Sequence, residues 1–371
     1  MPSAMAQTKL FQPLKVGTSH LEHRIALAPL TRFRADDSHV PLPMVATYYS
    51  QRGCVPGTLL ISEATFISPR AGGMPNVPGI WNQDQIASWK NVTDQVHKRG
   101  SKIYLQLWAL GRAAQKENIE SEGHKVVSSS DVPFEGGATP VALTEEEIWG
   151  FVGDYAQAAK NAIVAGFDGV EIHGANGYLI DQFTQTTCNK RTDKWGGSVE
   201  NRSRFGVEVA TAVVAAVGKE RVGIRLSPYS KFQGMHMPNE ELVPQFTHLV
   251  GELKKLDLAY LHLVESRIAG NATVENSESL GWILDLWNNT SPVLIAGGFD
   301  AESARKAVEE EFKDHDVVVV FGRYFISNPD LVDRVKRGVE FRPYDRKLFY
   351  NAKEEKGYIT YTADEGFQSK I

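Results

Sequence analysis

The chain has 371 residues, 42% hydrophobic and 23% charged, with a formal net charge of -5. That length exceeds most compact domains but suits an α/β barrel, which commonly runs past ~250 residues. The acidic balance offers no basic field for nucleic acid, no stretch approaches the ~20 apolar residues of a membrane span, and the two cysteines, Cys54 and Cys188, lie far apart as expected of reduced thiols.

In chain order, a β-rich apolar run predicts a strand at 24–30, followed by a helix at 43–52. A strand at 58–63 ends in Glu63 and precedes a helix at 83–99, and a strand at 102–108 carries Gln106 and Trp108. The polar segment 111–143 follows, with Ser128–Ser130 and Gly136-Gly137; its length makes it a candidate lid or substrate loop. Thr144 with Glu147 forms a capping-box pattern at the start of a helix over 144–165. Strands at 168–173, 221–227, 259–264, 292–296 and 316–321 then alternate with helices at 199–217, 240–255, 277–287, 301–311 and 329–337, with Asp300 and Asn328 as expected N-caps of the last two. Eight strands alternating with helices predict parallel βαβ units, and eight is the number that closes a (β/α)8 TIM barrel, here with an extended loop after strand 3. No linker-like stretch divides the chain, so residues 1–371 are read as one domain.

Side chains alternate across a strand, and in a barrel one face is the interior. Ile103, Leu105 and Leu107 suit a helix-covered exterior, as do Val222, Ile224 and Leu226, which places Gln106 and Arg225 inside. Both fall near the C-terminal ends of their strands with Thr31, Glu63, His173 and Arg323, on the rim where barrel enzymes build their sites. A buried arginine needs an electron-rich partner. After the fourth strand, His173 and Asn176 are neutral donors three residues apart that can meet one oxygen, and the Tyr178 phenol supplies a proton nearby. The last two strands end in Gly297-Gly298 and Gly322-Arg323, where barrels commonly hold phosphate. Phosphate at one end and a planar hydrogen-bonding ring over the barrel mouth describe flavin mononucleotide, with Gln106 and Arg225 at the polar edge of the ring and Thr31 at the opposite carbonyl edge. Glu63 and Glu171 are read as buried hydrogen-bond acceptors, and His262, inward on the sixth strand, as a structural residue.

These residues sit in blocks that resemble the old yellow enzymes, flavin-dependent ene-reductases, over essentially the whole chain. The blocks are 27–32 (Leu-Ala-Pro-Leu-Thr-Arg), 60–64, 106–112, 166–183, 191–198, 201–202, 225–229 and 321–329, and the style is similar to fungal members, including those reducing an unsaturated aldehyde in ergot-alkaloid synthesis. The resemblance implies that Pro29, Leu30, Thr31, Ala64, Gln106 and Arg225 hold the flavin ring and that Gly297, Gly298, Gly322 and Arg323 hold its phosphate. It assigns His173 and Asn176 to the substrate oxygen and Tyr178 to proton donation, with Trp108, Phe232, Phe349 and Tyr350 around the pocket. Ala64 stands where glycine is frequent in the family, and Gly298 where asparagine is frequent.

The implied activity is reduction of the C=C bond of α,β-unsaturated aldehydes or ketones, with FMN as cofactor and NADPH or NADH as donor, the two substrates taking turns in a ping-pong cycle. Absence of a Gly-x-Gly-x-x-Gly fingerprint fits, since no separate Rossmann site is needed. An ergot-type enal reductase or isomerase of the same family is the alternative; a metal-dependent barrel hydrolase using Glu171, His173 and His262 is a distant rival, disfavoured because His and Asp do not cluster on several strand ends. The expected partner is a small-molecule enal or enone, with no metal, nucleic acid or membrane, and the chain is expected to work as a monomer or homodimer. No secretory leader is expected, which points to the cytoplasm. Ser369-Lys370-Ile371, one conservative change from the Ser-Lys-Leu address, adds the peroxisome as an alternative.

Overall fold

The computed structural model describes residues 4–270, 272–273 and 278–368; the C-terminal tripeptide of the peroxisomal reading lies outside the described residues. Eight strands form the centre: β1 (Ile25–Leu27), β2 (Leu59–Ile61), β3 (Lys102–Trp108), β4 (Gly169–His173), β5 (Val222–Leu226), β6 (Tyr260–Val264), β7 (Val293–Ala296) and β8 (Val317–Phe321). They pair in parallel in the order β2-β1-β8-β7-β6-β5-β4-β3, and β2 pairs back onto β3, so the sheet closes into a (β/α)8 barrel. Each strand lies within its predicted span.

The helices outside are α1 (Met44–Arg52), α2 (Gln83–His97), α3 (Glu145–Val164), α4 (Val199–Val217), α5 (Asn239–Lys254), α6 (Gly281–Trp287), α7 (Ala301–Lys306) and α8 (Leu331–Arg337). Capping boxes at Thr144 with Glu147 and at Asp300 with Ser303 satisfy the first backbone amides of α3 and α7. Asn328 does not cap α8, which corrects the expectation. It follows a short helix, Arg323–Ser327, and its side-chain amide donates to the carbonyls of Tyr324 and Arg342 at 2.8 and 3.0 Å. Asp330 precedes α8 instead. The predicted helix over 301–311 also divides, since α7 passes into a π-turn at Ala307–Glu311.

Ile103, Leu105, Leu107, Val222, Ile224 and Leu226 pack outward against the helices. Inside, the Tyr104 and Tyr260 rings fill the cylinder 5.6 Å apart. Gly169 and Gly223 make room for them: a Cβ would stand 2.3 Å from the Tyr104 ring and 2.2 Å from that of Tyr260. An antiparallel hairpin, Leu14–Val16 with Ser19–Leu21, closes the lower end by packing Val16 and Leu21 against Ala26, Leu59, Tyr104 and Tyr260. Among the described residues no helix is long and apolar enough to cross a membrane.

Two features shape the upper end. The long loop after β3 is anchored: Ser128 Oγ and Ser129 Oγ donate to Gln182 Oε1 and O at 2.8 and 2.7 Å, and Arg191 Nη1 donates to the Leu143 carbonyl at 2.7 Å. Three buried arginines clasp the C-terminal segment. Arg32 donates to the carbonyls of Phe349 and Gly357, Arg34 to that of Glu354, and Arg52 to those of Phe325, Ile326 and Tyr358. Burial and the neighbouring Arg32 lower the Arg34 pKa to about 10. The clasp holds Phe349 and Tyr350 against the barrel mouth.

Candidate active site

Strand register sets the site. Gln106 of β3 lies beside Glu171 of β4, His173 of β4 beside Arg225 of β5, and Arg225 beside His262 of β6. Above them is a cavity of about 510 Å³. Its walls come from Pro29, Leu30 and Thr31 after β1, Ala64 after β2, Gln106 and Trp108 of β3, and His173, Asn176 and Tyr178 at the end of β4. Arg225 and Phe232, Gly297 and Gly298, Gly322 and Arg323, and Tyr350 complete the ring. Every site residue expected from the sequence therefore meets in one space. Phe33, Met74, Ile268, Phe299, Tyr324 and Ile326 also line it and were not anticipated. They lie in loops or in elements of five residues or fewer, where an apolar side chain carries no periodic signal.

At the end of β4, His173 Nδ1 accepts the Ala175 N–H at 3.4 Å, which leaves the proton on Nε2. Burial, with Arg225 and His262 nearby, holds the imidazole pKa well below its ordinary value, so it is a neutral donor. Asn176 and Gly177 both take positive φ, +59° and +75°, and this tight turn brings Tyr178 back towards His173. The Asn176 N–H donates to Ser227 Oγ at 2.7 Å, and that of Gly177 to Asp181 Oδ2 at 2.8 Å. The Tyr178 ring stands 4.9 Å from the His173 ring and 4.8 Å from that of Trp108, edge to face with both. Burial pushes the phenol well above its usual pKa while the Gln233 side chain pulls the other way, so the phenol keeps its proton at neutral pH.

At the base, Glu171 accepts from Gln106 Nε2 at 2.7 Å, His262 Nδ1 at 2.7 Å and the Tyr260 hydroxyl at 3.0 Å. Arg225 Nε donates to His262 Nε2 at 3.4 Å, and this buried guanidinium makes no ion pair within hydrogen-bonding range among the described residues. At the far side, a Cβ on Gly297 would stand 2.5 Å from Glu265 Cγ. Gly298 has φ +67°, a conformation that favours glycine and that asparagine also tolerates. Arg323 Nη2 donates to Thr273 Oγ1 at 3.0 Å, and its guanidinium lies over the Tyr344 ring.

Residues 9–341 match the model of the NADH:flavin oxidoreductase / NADH oxidase family. The chain belongs to this family. The enzyme is 58% identical to a chanoclavine-I aldehyde reductase of Penicillium roqueforti (strain FM164) over 366 residues, 98% of this chain and 99% of that one. It is 52% identical to an NADP-dependent oxidoreductase of Aspergillus flavus over 363 residues, 95% of this chain and 96% of the other. Its fold matches the crystal structure of Old Yellow Enzyme from Pichia sp. AKU4542 with a TM-score of 0.89 and 40% identity, covering 99% of this chain and 96% of that one. The enzyme is thus an FMN-dependent NAD(P)H oxidoreductase of the old yellow enzyme type, which sets the hydrolase rival aside. One observation fits that cofactor: a buried guanidinium, Arg225, with no carboxylate partner among the described residues at the cavity floor.

Proposed function

We propose that this enzyme, working as a single barrel unit over 1–371, reduces the activated C=C bond of an α,β-unsaturated aldehyde, of the kind for which its Penicillium roqueforti relative is named. The convergence of His173, Asn176 and Tyr178 on one cavity wall carries this reading. In it, Pro29, Leu30, Thr31, Ala64, Gln106 and Arg225 hold the ring of FMN, while Gly297, Gly298, Gly322 and Arg323 hold its phosphate. Bound FMN supplies two-electron transfer from NADPH or NADH to the β-carbon of the acceptor. His173 Nε2–H and the Asn176 carboxamide donate to the aldehyde oxygen and stabilise the enolate-like charge that grows there. Tyr178 donates its proton to the α-carbon. Trp108, Phe232 and Tyr350 flank the acceptor.

A proton donor at 178 favours net reduction over the isomerising variant of the same chemistry, because the enolate-like species is trapped as it forms. The test is NADPH consumption by the purified yellow protein with enals, cyclic enones and nitroalkenes in turn. Enals accelerating consumption with saturated aldehyde as product is the expected result. Acceleration by oxygen alone, with no acceptor in the panel reduced, would sink the proposal.

A further inference from the structure

Two buried ionisable residues, Glu171 and His262, are absent from the cavity wall and have no place in the proton chemistry. We propose that they are positioning residues, a relay that fixes Gln106 and Arg225 for the flavin ring and sets the charge beneath its polar edge. The inference rests on FMN lying in this cavity as read above.

The hydrogen bonds leave the relay one consistent arrangement. Glu171 accepts from three donors, Gln106 Nε2, His262 Nδ1 and the Tyr260 hydroxyl, so it is a carboxylate without a proton of its own to offer. His262 gives its single proton to that carboxylate, and Nε2 is then free to accept from Arg225 Nε. Donation by Gln106 Nε2 fixes which end of its carboxamide is oxygen, leaving Oε1 and one N–H for the cavity that Gln106 lines. Arg225 is likewise held by Nε, with its terminal nitrogens left for a ligand. Burial works against the Glu171 carboxylate, yet His262, Arg225 and Gln106 together hold its pKa below the ordinary value.

Core packing alone does not explain the group. Apolar residues of the same volume would fill this space without the desolvation cost of a buried charge. Instead, a full negative charge is bonded directly to Gln106 and, through His262, to Arg225, the two polar side chains that face the cavity floor. Arg225 favours the negative charge gained on flavin reduction, and Glu171 partly offsets it. The relay therefore moderates the reduction potential as well as orienting its two clients.

The test compares wild type with Glu171→Gln, and His262→Leu with His262→Gln, all as holoenzymes. Flavin absorbance is read against a reference redox dye, and FMN affinity by the fluorescence of released flavin. Glu171→Gln is expected to raise the ratio of reduced to oxidised flavin at fixed poise about tenfold, which is ~30 mV for a two-electron couple. His262→Leu is expected to weaken FMN binding about tenfold, and His262→Gln, which keeps an acceptor for Arg225, to restore most of it. An unchanged potential in a Glu171→Gln protein that binds FMN normally overturns the proposal. So does equal FMN affinity in the two His262 variants, which decide the matter if Glu171→Gln fails to fold. A wild-type protein that takes up no FMN instead refutes the reading of the cavity itself.

Discussion

On the proposed mechanism Tyr178 and His173 act on the acceptor, so substitution should separate the two half-reactions. Tyr178→Phe is expected to leave flavin reduction by NADPH nearly intact and slow enal turnover at least ~100-fold, the low end for loss of a general acid. Stopped-flow measurement of each half-reaction checks this, and equal slowing of both would count against the phenol. His173→Ala should weaken binding of phenols, which mimic the enolate; an unchanged titration would contradict the assignment of the imidazole. These residues were legible in the chain because they share a strand end and the five residues after it. The cavity-facing Ile268 and Phe299 were not legible. Nothing in a loop sequence says which apolar side chain will be carried to the cavity, because that depends on closure of the whole barrel.

Elements were read from short-range signals, and those signals held where a cap or an alternating run was strong. Gly169–His173 and Val222–Leu226 fall inside their predicted spans, the capping box expected at Thr144 forms, and Asp300 caps its helix as expected. Thr144→Ala should accordingly cost about 1 kcal/mol in urea unfolding, the usual worth of an N-cap; no change would mean that α3 is held by packing alone. The failures came where tertiary contacts decide. Asn328 has the side chain of an N-cap, but the backbone turns at Arg323–Ser327 and gives it the carbonyl of Tyr324 instead. The arginine clasp on the C-terminal segment was equally invisible, since Arg52 reaches the Tyr358 carbonyl across 306 positions. Replacing Arg52 with methionine strands several buried carbonyls, and a loss of roughly 3 kcal/mol or more is expected. Thermal unfolding measures it, with little change in Tm showing that water or a neighbouring residue takes over the bonds.

For the molecule as a whole, buried ionisable groups make stability depend on pH in two directions. Burial raises the Glu63 pKa from 4.5 to about 7. The folded chain therefore holds a proton that the unfolded chain has released, and this contribution is lost as pH rises from 4.5 through 7. Glu63→Gln should remove that slope, so the Tm advantage of the variant should grow from pH 5 to pH 8.5, by the equivalent of about 3 kcal/mol. A constant difference across that range would show that Glu63 ionises freely in the fold. His23 works the other way. Burial first, then Lys336, lowers its pKa to about 3, so its contribution is present above 6.5 and lost as pH falls towards 3.

The hairpin beneath the barrel has a bearing on traffic. Val16 and Leu21 seal the lower end of the cylinder, so the cavity is reached from the upper rim and not through the barrel. Donor and acceptor then contend for one seat. An enal supplied in excess should obstruct its own consumption by occupying the oxidised form before the nicotinamide arrives, and added NADPH should relieve the blockade.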